Sequence, residues 1–183
     1  MKKVVKFGGS SLASAEQFKK VGDIVRSDKS RKYVAPSAPG KRFGADTKVT
    51  DMLYQTYALA EAGKDFSSEL QAIKERYNEI IKGLKLNMTL DAGFETIAEM
   101  FRSKAGSDYA ASRGEYLNGK IMANYLGFEF IDAAEVIFFD EEGNFDAEKT
   151  NNILSVRLGK VDNAVVPGFY GSTPDGKVKT FSR

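Results

Sequence analysis

The chain opens on an apolar strand that runs directly into a glycine-serine turn and then into an amphipathic helix. The strand covers residues 2–7, the turn reads Gly-Gly-Ser-Ser, and Ser14 followed by Gln17 forms a capping-box pattern at the start of the helix. A second strand-like run, residues 32–35, comes after the helix. Strands joined through a helix pair in parallel, so this order predicts an α/β fold with a parallel sheet.

The rest of the chain continues this alternation of helical and strand-like patterns. Apolar residues at helical spacing predict helices over residues 48–63, 66–81, 90–101, 107–126 and 147–158. We expect the helices over 66–81 and 90–101 to form a hairpin beside the sheet. Short apolar runs predict strands over residues 128–132, 136–139, 163–167 and 177–181, with a loop over residues 168–176 between the last two.

Composition restricts the chemistry that the chain can perform. Its 183 residues include no cysteine, histidine or tryptophan. This removes thiolate nucleophiles, imidazole bases and the usual zinc sites. Phosphoryl transfer remains compatible, because it depends on positioning and charge stabilisation rather than on histidine.

Charge and hydropathy argue against two classes of partner. The 27 Lys and Arg residues nearly balance the 25 Asp and Glu residues, for a formal charge of +2, so nothing indicates a nucleic-acid partner. No apolar run approaches the roughly 20 residues of a membrane-spanning helix, and no signal peptide follows the first lysines. We therefore expect no membrane partner and a cytoplasmic location.

The turn after the first strand has the composition of a phosphate-binding device. Gly8 and Gly9 let the backbone approach an anion closely, Ser10 adds a hydroxyl, and Lys6 adds a positive charge. We also expect the following helix to direct its free N–H groups at the same place. The run matches neither the P-loop nor the Gly-x-Gly-x-x-Gly pattern, and a glycine pair after a strand is equally typical of a plain turn.

Five segments, taken in order, carry a more specific signal. They are the Lys-Phe-Gly-Gly-Ser-Ser run from Lys6, the Pro-Ser-Ala-Pro-Gly run of residues 36–40, Thr-Asp-Met-Leu from Thr50, Ser-Arg-Gly-Glu ending at Glu115, and Gly-Phe-Tyr-Gly-Ser of residues 168–172. Together they resemble the catalytic domain of the aspartate kinases, over essentially the whole chain. The resemblance implies the amino acid kinase fold, a three-layer αβα sandwich with a mainly parallel sheet.

The resemblance also implies a reaction. Aspartate kinases transfer the γ-phosphoryl group of ATP to the side-chain carboxylate of L-aspartate, with Mg²⁺ as the usual metal. The product, 4-phospho-L-aspartate, leads to lysine, threonine and methionine. The full-length parent would be a homo-oligomer, and no metal-ligating residue is assigned in this chain.

Site residues follow from the same resemblance. Lys6, Gly8, Gly9 and Ser10 would bind the nucleotide phosphates, and Lys6 would act in catalysis by offsetting the charge of the transferred group. The substrate-binding positions would be Ser37, Thr50, Glu115, Phe169 and Arg183, with Glu115 on the ammonium group and Arg183 on the α-carboxylate of aspartate. More ordinary roles stay open: a strand-end lysine in solvent, a turn serine, a helix-cap threonine, a glutamate on a solvated helix face and a core aromatic residue.

We expect residues 1–183 to be a partial amino acid kinase catalytic domain, because the Gly-Gly-Ser-Asp segment, the main adenine-binding segment and the regulatory ACT domains of the family do not follow Arg183. Such a fragment would have little or no turnover by itself. The alternatives are a non-catalytic amino-acid-binding or assembly module with the same fold, and a relative that acts on another acceptor.

Overall fold

The computed structural model describes residues 1–181, so Ser182 and Arg183 lie outside the described residues. The chain begins with the predicted strand–helix–strand unit, and four consecutive helices follow it. The strands are β1 Lys3–Phe7, β2 Arg31–Pro36, β3 Glu129–Phe130, β4 Ala164–Val165, β5 Tyr170–Ser172 and β6 Val178–Thr180. The helices are α1 Ala15–Arg26, α2 Val49–Glu61, α3 Ser67–Gly83, α4 Asp91–Arg102, α5 Ser107–Leu126, α6 Ala133–Val136 and α7 Ala147–Leu158.

Four strands form one sheet in the order β1-β2-β4-β3, and every neighbouring pair is parallel. Lys6 pairs with Ala35 and Phe7 with Pro36, so β1 and β2 end side by side. The loops that follow these two strands therefore leave from the same edge of the sheet. A parallel sheet flanked by helices confirms the predicted fold class.

Local signals in the sequence set the limits of the helices. The Ser14 side chain accepts a hydrogen bond from the Gln17 backbone N–H at the start of α1. Gly127, in the left-handed conformation with φ 69°, ends α5. The long α5 is buried along most of its length, because it packs against β2, β3 and β4 on one side and against α2 and α4 on another.

A single large hydrophobic cluster holds these layers together. It includes the fully buried side chains of Phe18, Ile73, Tyr77, Ile97 and Leu117, which come from α1, α3, α4 and α5. The expected hairpin of α3 and α4 is present, with the rings of Tyr77 and Phe94 6.1 Å apart. Within residues 1–181, none of the helices combines the length and the apolar character needed to cross a bilayer.

The strand predicted over residues 136–139 is wrong at its start. Val136 ends the short helix α6, because the Asp132 carboxylate accepts a hydrogen bond from the Ala134 N–H and caps that helix. Phe138 and Phe139 make only isolated bridges, to Ser172 and Phe145. Val136, the first residue of an apolar run that favours a strand, is therefore helical, because α6 starts from the side-chain cap at Asp132.

The end of the described chain also differs from the prediction. The residues predicted as a loop contain β5, which pairs antiparallel with β6 in a separate two-stranded sheet. The predicted last strand therefore does not extend the parallel sheet. A tight turn closes this hairpin, since Gly176 has φ 79° and the Thr173 hydroxyl donates to Asp175 at 2.5 Å.

Candidate active site

A cavity of about 450 Å³ lies where the loops after β1 and β2 meet the start of α2 and the middle of α5. Its volume falls within the range typical of small-molecule sites. Five of the predicted site residues line it together, although they come from four separate segments of the chain. The lining residues are Gly9, Ser10, Ser37, Ala38, Pro39, Gly40, Lys41, Lys48, Thr50 and Glu115.

Two glycines bring the first two loops into direct backbone contact. The Gly40 N–H donates to the Gly9 carbonyl at 2.8 Å. A Cβ added at Gly9 would lie 2.7 Å from the Ala38 carbonyl oxygen, and one added at Gly40 would lie 2.7 Å from the Gly9 carbonyl carbon. Only glycine fits at either position, so the motif glycine Gly9 has a packing role in addition to any contact with a ligand.

Gly8 differs from its neighbour. A Cβ added there meets nothing within 4 Å, and its φ of −76° suits any residue. The segment after Gly8 is a four-residue 3₁₀ turn, Gly9–Leu12, and α1 begins only at Ala15. The predicted arrangement, in which a long helix directs its first N–H groups at the turn, is therefore interrupted by this 3₁₀ turn.

The hydroxyl residues Ser37 and Thr50 reach the cavity from different elements. Ser37 follows β2, where its N–H donates to the Phe7 carbonyl at 3.0 Å and its carbonyl accepts from the Asn118 side-chain amide at 2.6 Å. Thr50 is 6% exposed and lies in the first turn of α2, whose N-cap is Lys48. The helix-cap role left open for Thr50 is thus occupied by another residue.

Glu115 carries a carboxylate into the cavity from α5, although it is only 5% exposed. The preceding Gly114 makes this possible: a Cβ there would lie 2.8 Å from the Ala38 Cβ, so glycine lets α5 approach the loop after β2. The Tyr77 hydroxyl donates to the Gly114 carbonyl at 2.7 Å. Burial, assisted by the negative Glu115, raises the pKa of Tyr77, which therefore stays a neutral donor.

Phe169 does not line the cavity, but the residue before it lies close to Glu115. A Cβ added at the adjacent Gly168 would be 3.9 Å from a Glu115 carboxylate oxygen. Phe169 itself has φ 76°, a conformation that a bulky side chain rarely adopts. Strained backbone of this kind is concentrated at functional sites, so the geometry supports a site role for Phe169 over a purely structural one.

Arg113 joins α5 to the strand that follows Phe169. Its guanidinium is 7% exposed and donates to the Ser112 hydroxyl at 3.0 Å. Three tyrosine rings surround it, with centroid distances of 4.7 Å to Tyr109, 4.4 Å to Tyr116 and 5.5 Å to Tyr170. Cation–π contacts of this kind hold β5 against α5 and so fix the loop beside Glu115.

Lys6 and Gly8 are placed next to the cavity rather than in its lining. Lys6 is exposed at the carboxyl end of β1, three residues before the 3₁₀ turn, and makes no ion pair within residues 1–181. Its side chain is therefore available to a ligand that extends from the cavity over the end of β1. Arg183, predicted to bind the substrate α-carboxylate, lies outside the described residues.

Two lining residues, Lys41 and Lys48, were not predicted. Both belong to a polar stretch with glycines, residues 40–48, between β2 and α2. One signal was present, because lysine is an unfavourable residue at a helix N-cap, where Ser, Thr, Asp and Asn are preferred. An unfavourable local choice of this kind often marks a functional position.

A network of charged side chains holds this loop. Asp46 pairs with Arg42 at 2.9 Å and with Arg76 at 3.2 Å, and the Arg42 guanidinium also contacts Glu79 at 2.9 Å. Arg76 is 5% exposed and donates to the Gly40 carbonyl at 2.9 Å. The hydrogen bond from Arg42, followed by the charge of Arg76, holds the pKa of Asp46 well below its usual range, and burial lowers the pKa of Arg76.

The described residues do not provide a dedicated metal cage. Within residues 1–181, no group of three or more acidic side chains is arranged to hold a metal ion, and Glu115 is the single carboxylate in the cavity lining. Magnesium in phosphoryl-transfer sites is held largely by the nucleotide phosphates. The donor set of the chain itself therefore does not fit a resident Mg²⁺.

A second cavity, of about 480 Å³, lies beside the β5–β6 hairpin. Two of its acidic side chains already have partners: Asp108 accepts from the Thr180 hydroxyl at 2.7 Å, and Asp175 pairs with Lys177 at 2.7 Å. None of the predicted site residues that the structure describes lines it. The first cavity is therefore the candidate active site.

Comparison with known proteins places this geometry in a family. The sequence profile of the amino acid kinase family matches residues 1–182. Aspartokinase 3 of Bacillus subtilis is 36% identical to the chain over 195 residues, which cover 99% of this chain and 43% of that protein. The aspartokinase of Chlamydia trachomatis is 24% identical over 98% of this chain and 42% of its own length.

Solved structures agree. The crystal structure of Clostridium acetobutylicum aspartate kinase superposes with a TM-score of 0.96 at 52% identity, covering all of this chain and 42% of that one. Escherichia coli aspartokinase III, crystallised with aspartate and ADP, has a TM-score of 0.83 at 22% identity over 44% of its length, which supports the fold. The chain thus spans about two fifths of the length of these relatives. The resemblance to the N-terminal catalytic part of the aspartate kinases is confirmed, and the chain belongs to the amino acid kinase family.

Proposed function

We propose that this chain is the acceptor-binding part of an aspartate kinase, in the cytosol, which transfers the γ-phosphoryl group of ATP to the side-chain carboxylate of L-aspartate. One observation carries the proposal: the backbone of the loop after β1, the hydroxyl residues Ser37 and Thr50, and the buried carboxylate of Glu115 line the same cavity. The aspartate kinases of Bacillus and Clostridium that it resembles support the choice of reaction.

The acceptor chemistry suits a site without histidine. The side-chain carboxylate of aspartate is ionised at neutral pH, so no general base is needed before its oxygen attacks the γ-phosphorus. Glu115 would bind the acceptor ammonium group, because a buried carboxylate is stabilised by a partner of opposite charge. The hydroxyls of Ser37 and Thr50 would donate to the acceptor carboxylates, and the ring of Phe169 would close the pocket.

Lys6, Ser10 and the Gly8 and Gly9 backbone amides would bind the phosphates. Two anions have to come together, and preorganised cations and N–H donors reduce their repulsion. The Lys6 ammonium group would stay close to the transferred phosphoryl group and stabilise its negative charge while the bond from the γ-phosphorus to the ADP oxygen breaks. Mg²⁺, arriving with the nucleotide, would neutralise phosphate charge, and Arg183 would fork onto the substrate α-carboxylate.

The wider assignments are part of the same proposal. The chain would be a partial catalytic domain whose parent adds the remaining nucleotide site and regulatory ACT domains, assembles as a homo-oligomer and performs the first step toward lysine, threonine and methionine. Because the chain spans two fifths of its relatives, we expect little turnover without the remainder.

The test is a chimera in which this chain replaces the matching segment of the Clostridium acetobutylicum aspartate kinase. We expect aspartate-dependent release of ADP, and a loss of turnover of about 10²–10³-fold in Lys6→Ala, as for other groups that stabilise transition-state charge. Lys64→Ala is the matched control, since Lys64 is an exposed lysine in the turn after α2. Equal turnover in Lys6→Ala would show that the phosphate role is wrong.

A second candidate is a non-catalytic amino-acid-binding or assembly module. It is favoured by one observation: the acceptor residues line the cavity, whereas Lys6 does not. Calorimetry on the 183-residue chain, together with the chimera, separates the two. Aspartate binding with no ADP release from the chimera supports the module, and preference for glutamate over aspartate would indicate a relative with a different acceptor.

A further inference from the structure

Two lysines give the cavity a positive side that the family motifs do not include. Lys41 and Lys48 are both exposed and both line the cavity, one at each end of the loop that leads from Gly40 to α2. The Lys41 ammonium donates to the Gly44 carbonyl at 3.4 Å, and Lys48 has no ion pair among the described residues. With Glu115, the charged side chains of the lining sum to one net positive charge.

Lys48 occupies a position that costs the helix stability. It is the N-cap of α2 and makes no side-chain cap hydrogen bond. The helix dipole places partial positive charge there, so a cation is disfavoured and a capping oxygen is missing. An anion bound in the cavity would offset both effects, because the anion would pair with Lys48 and would also face the positive end of α2.

The buried side chain of Arg76 contacts both ends of the loop that carries the two lysines. Its guanidinium donates to the Gly40 carbonyl at 2.9 Å and to the Thr47 carbonyl at 3.1 Å, and it pairs with Asp46 at 3.2 Å. These contacts fix the backbone immediately before Lys41 and immediately before Lys48. The lysines therefore project from a loop whose two ends are held in place.

We propose that Lys41 and Lys48 bind the anionic side chain of the acceptor, and that Asp46 and Arg76 are positioning residues that hold them at the cavity. This inference rests on the proposed function. With Glu115 proposed for the ammonium group and Arg183 for the α-carboxylate, the side-chain carboxylate of aspartate still needs a partner of positive charge. The two lysines would select an acceptor with a side-chain carboxylate over one with an amide of the same shape.

The first experiment compares L-aspartate with L-asparagine in Lys48→Gln and Lys41→Gln. Dissociation constants are measured by calorimetry on the 183-residue chain, and KM and kcat are measured in the chimera. Each substitution should weaken aspartate binding about five-fold, the upper end for an exposed ion pair, and leave asparagine binding unchanged. Lys64→Gln serves as the control for loss of a surface charge, and ADP affinity should not change in any variant.

The second experiment separates positioning from a general field effect. Asp46→Asn removes a negative charge close to the cavity, so a pure field effect would tighten aspartate binding. Loss of positioning would weaken it instead, because the loop ends would no longer be held. Glu79→Gln, which also removes a negative charge that pairs with Arg42, leaves the Asp46–Arg76 contact intact and should leave binding unchanged.

Several results would overturn the inference while the proposed function stands. These are unchanged aspartate binding in both lysine variants, an equal loss for aspartate and asparagine, or a loss of ADP affinity in place of aspartate affinity. Tighter aspartate binding in Asp46→Asn would overturn the positioning role. Circular dichroism shows whether that variant is folded, and an unfolded one is replaced by Arg76→Lys, which keeps the positive charge but loses the forked contacts. Lost positioning should then weaken aspartate binding, whereas unchanged binding would overturn the positioning role. If neither the chain nor the chimera interacts with aspartate, the proposed function fails together with the inference.

Discussion

The two adjacent glycines of the first loop should behave in opposite ways when each is replaced by alanine. A Cβ at Gly9 would lie 2.7 Å from the Ala38 carbonyl oxygen and 3.0 Å from the Gly40 nitrogen, both of which are backbone atoms that no side-chain rotation can move away. A Cβ at Gly8 meets nothing within 4 Å, and its φ of −76° is open to alanine. Gly8→Ala is therefore a matched control one residue away.

The magnitude follows from the contacts that must change. Overpacking a well-fitted site costs about 1–3 kcal/mol, and the hydrogen bond from Gly40 to the Gly9 carbonyl, 2.8 Å long, would be strained at the same time. We expect Gly9→Ala to lose about 2 kcal/mol of unfolding free energy or more, which corresponds to a fall of about 4–8 °C in Tm for a chain of this size. Gly8→Ala should keep or slightly raise the Tm, because it restricts the unfolded chain.

Thermal unfolding followed by circular dichroism gives the Tm of both variants. Titration of the chimera with nucleotide gives the affinity of each variant for ATP. If a phosphate group approaches the backbone at Gly8, Gly8→Ala should weaken ATP binding without loss of stability. A Gly9→Ala chain as stable as the parent would refute the argument from loop packing. A destabilised Gly8→Ala chain would refute it equally, since nothing surrounds that position.

Three further predictions concern the supports of the cavity. Tyr77→Phe leaves the Gly114 carbonyl without its buried donor and should cost about 1–3 kcal/mol in urea unfolding, so an unchanged midpoint would contradict the role of that hydrogen bond. Phe169→Gly relieves the positive φ and should leave the Tm equal or higher while the KM for aspartate rises; a lower Tm would show that the ring contributes more to packing than the strain costs. The Arg42 hydrogen bond lowers the pKa of Asp46, so the stability it provides is complete above the unfolded value of about 4 and is lost as the pH falls further. Unfolding between pH 6 and pH 2 should therefore show a shallower acid loss in Asp46→Asn than in the parent, and parallel curves would contradict this assignment.

The helices and the parallel sheet could be predicted because local signals and the fold agree. Ser14 caps α1 as its pattern predicts, Gly127 ends α5, and the helix predicted over residues 147–158 matches α7 at both ends. The β-α-β order of the first 36 residues was enough to give strand direction. The structure of a segment can be predicted from sequence where residue propensity, hydrophobic periodicity and capping residues all favour the same element.

The errors came from segments whose structure depends on distant partners. Residues 168–176 contain glycines and a proline, which favour a loop, yet β5 forms there because β6 pairs with it. Asp132 was assigned to a strand, but it caps α6 and also accepts a hydrogen bond from the Tyr170 hydroxyl at 2.7 Å. The hydrogen bond between Asp132 and Tyr170 joins residues 38 positions apart, so no local sequence pattern predicts it.

The candidate site likewise contains residues that local motifs predict and residues that they do not. Ser37, Thr50 and Glu115 were predicted as site residues because each lies in a motif, and all three line one cavity. Lys41 and Lys48 were missed because a loop of glycine and charged residues gives no direction to its side chains. The ends of that loop are held by Arg76, which lies 30 residues beyond Asp46 in the sequence and belongs to none of the motifs.

Two close approaches between segments, made possible by three glycines, shape the cavity. Gly9 and Gly40 bring the loops after β1 and β2 into contact, and Gly114 lets α5 close on Ala38. Larger side chains at these positions would separate the three segments and move Glu115 away from the turn after β1. Proximity of two bound reactants is a large part of catalysis by positioning, so these glycines would affect turnover through the spacing that they set, in addition to any contact of the Gly9 amide with a ligand. This explains the glycines in three of the five motifs: Gly9, Gly40 and Gly114 set the distances between segments that other residues of the same motifs line.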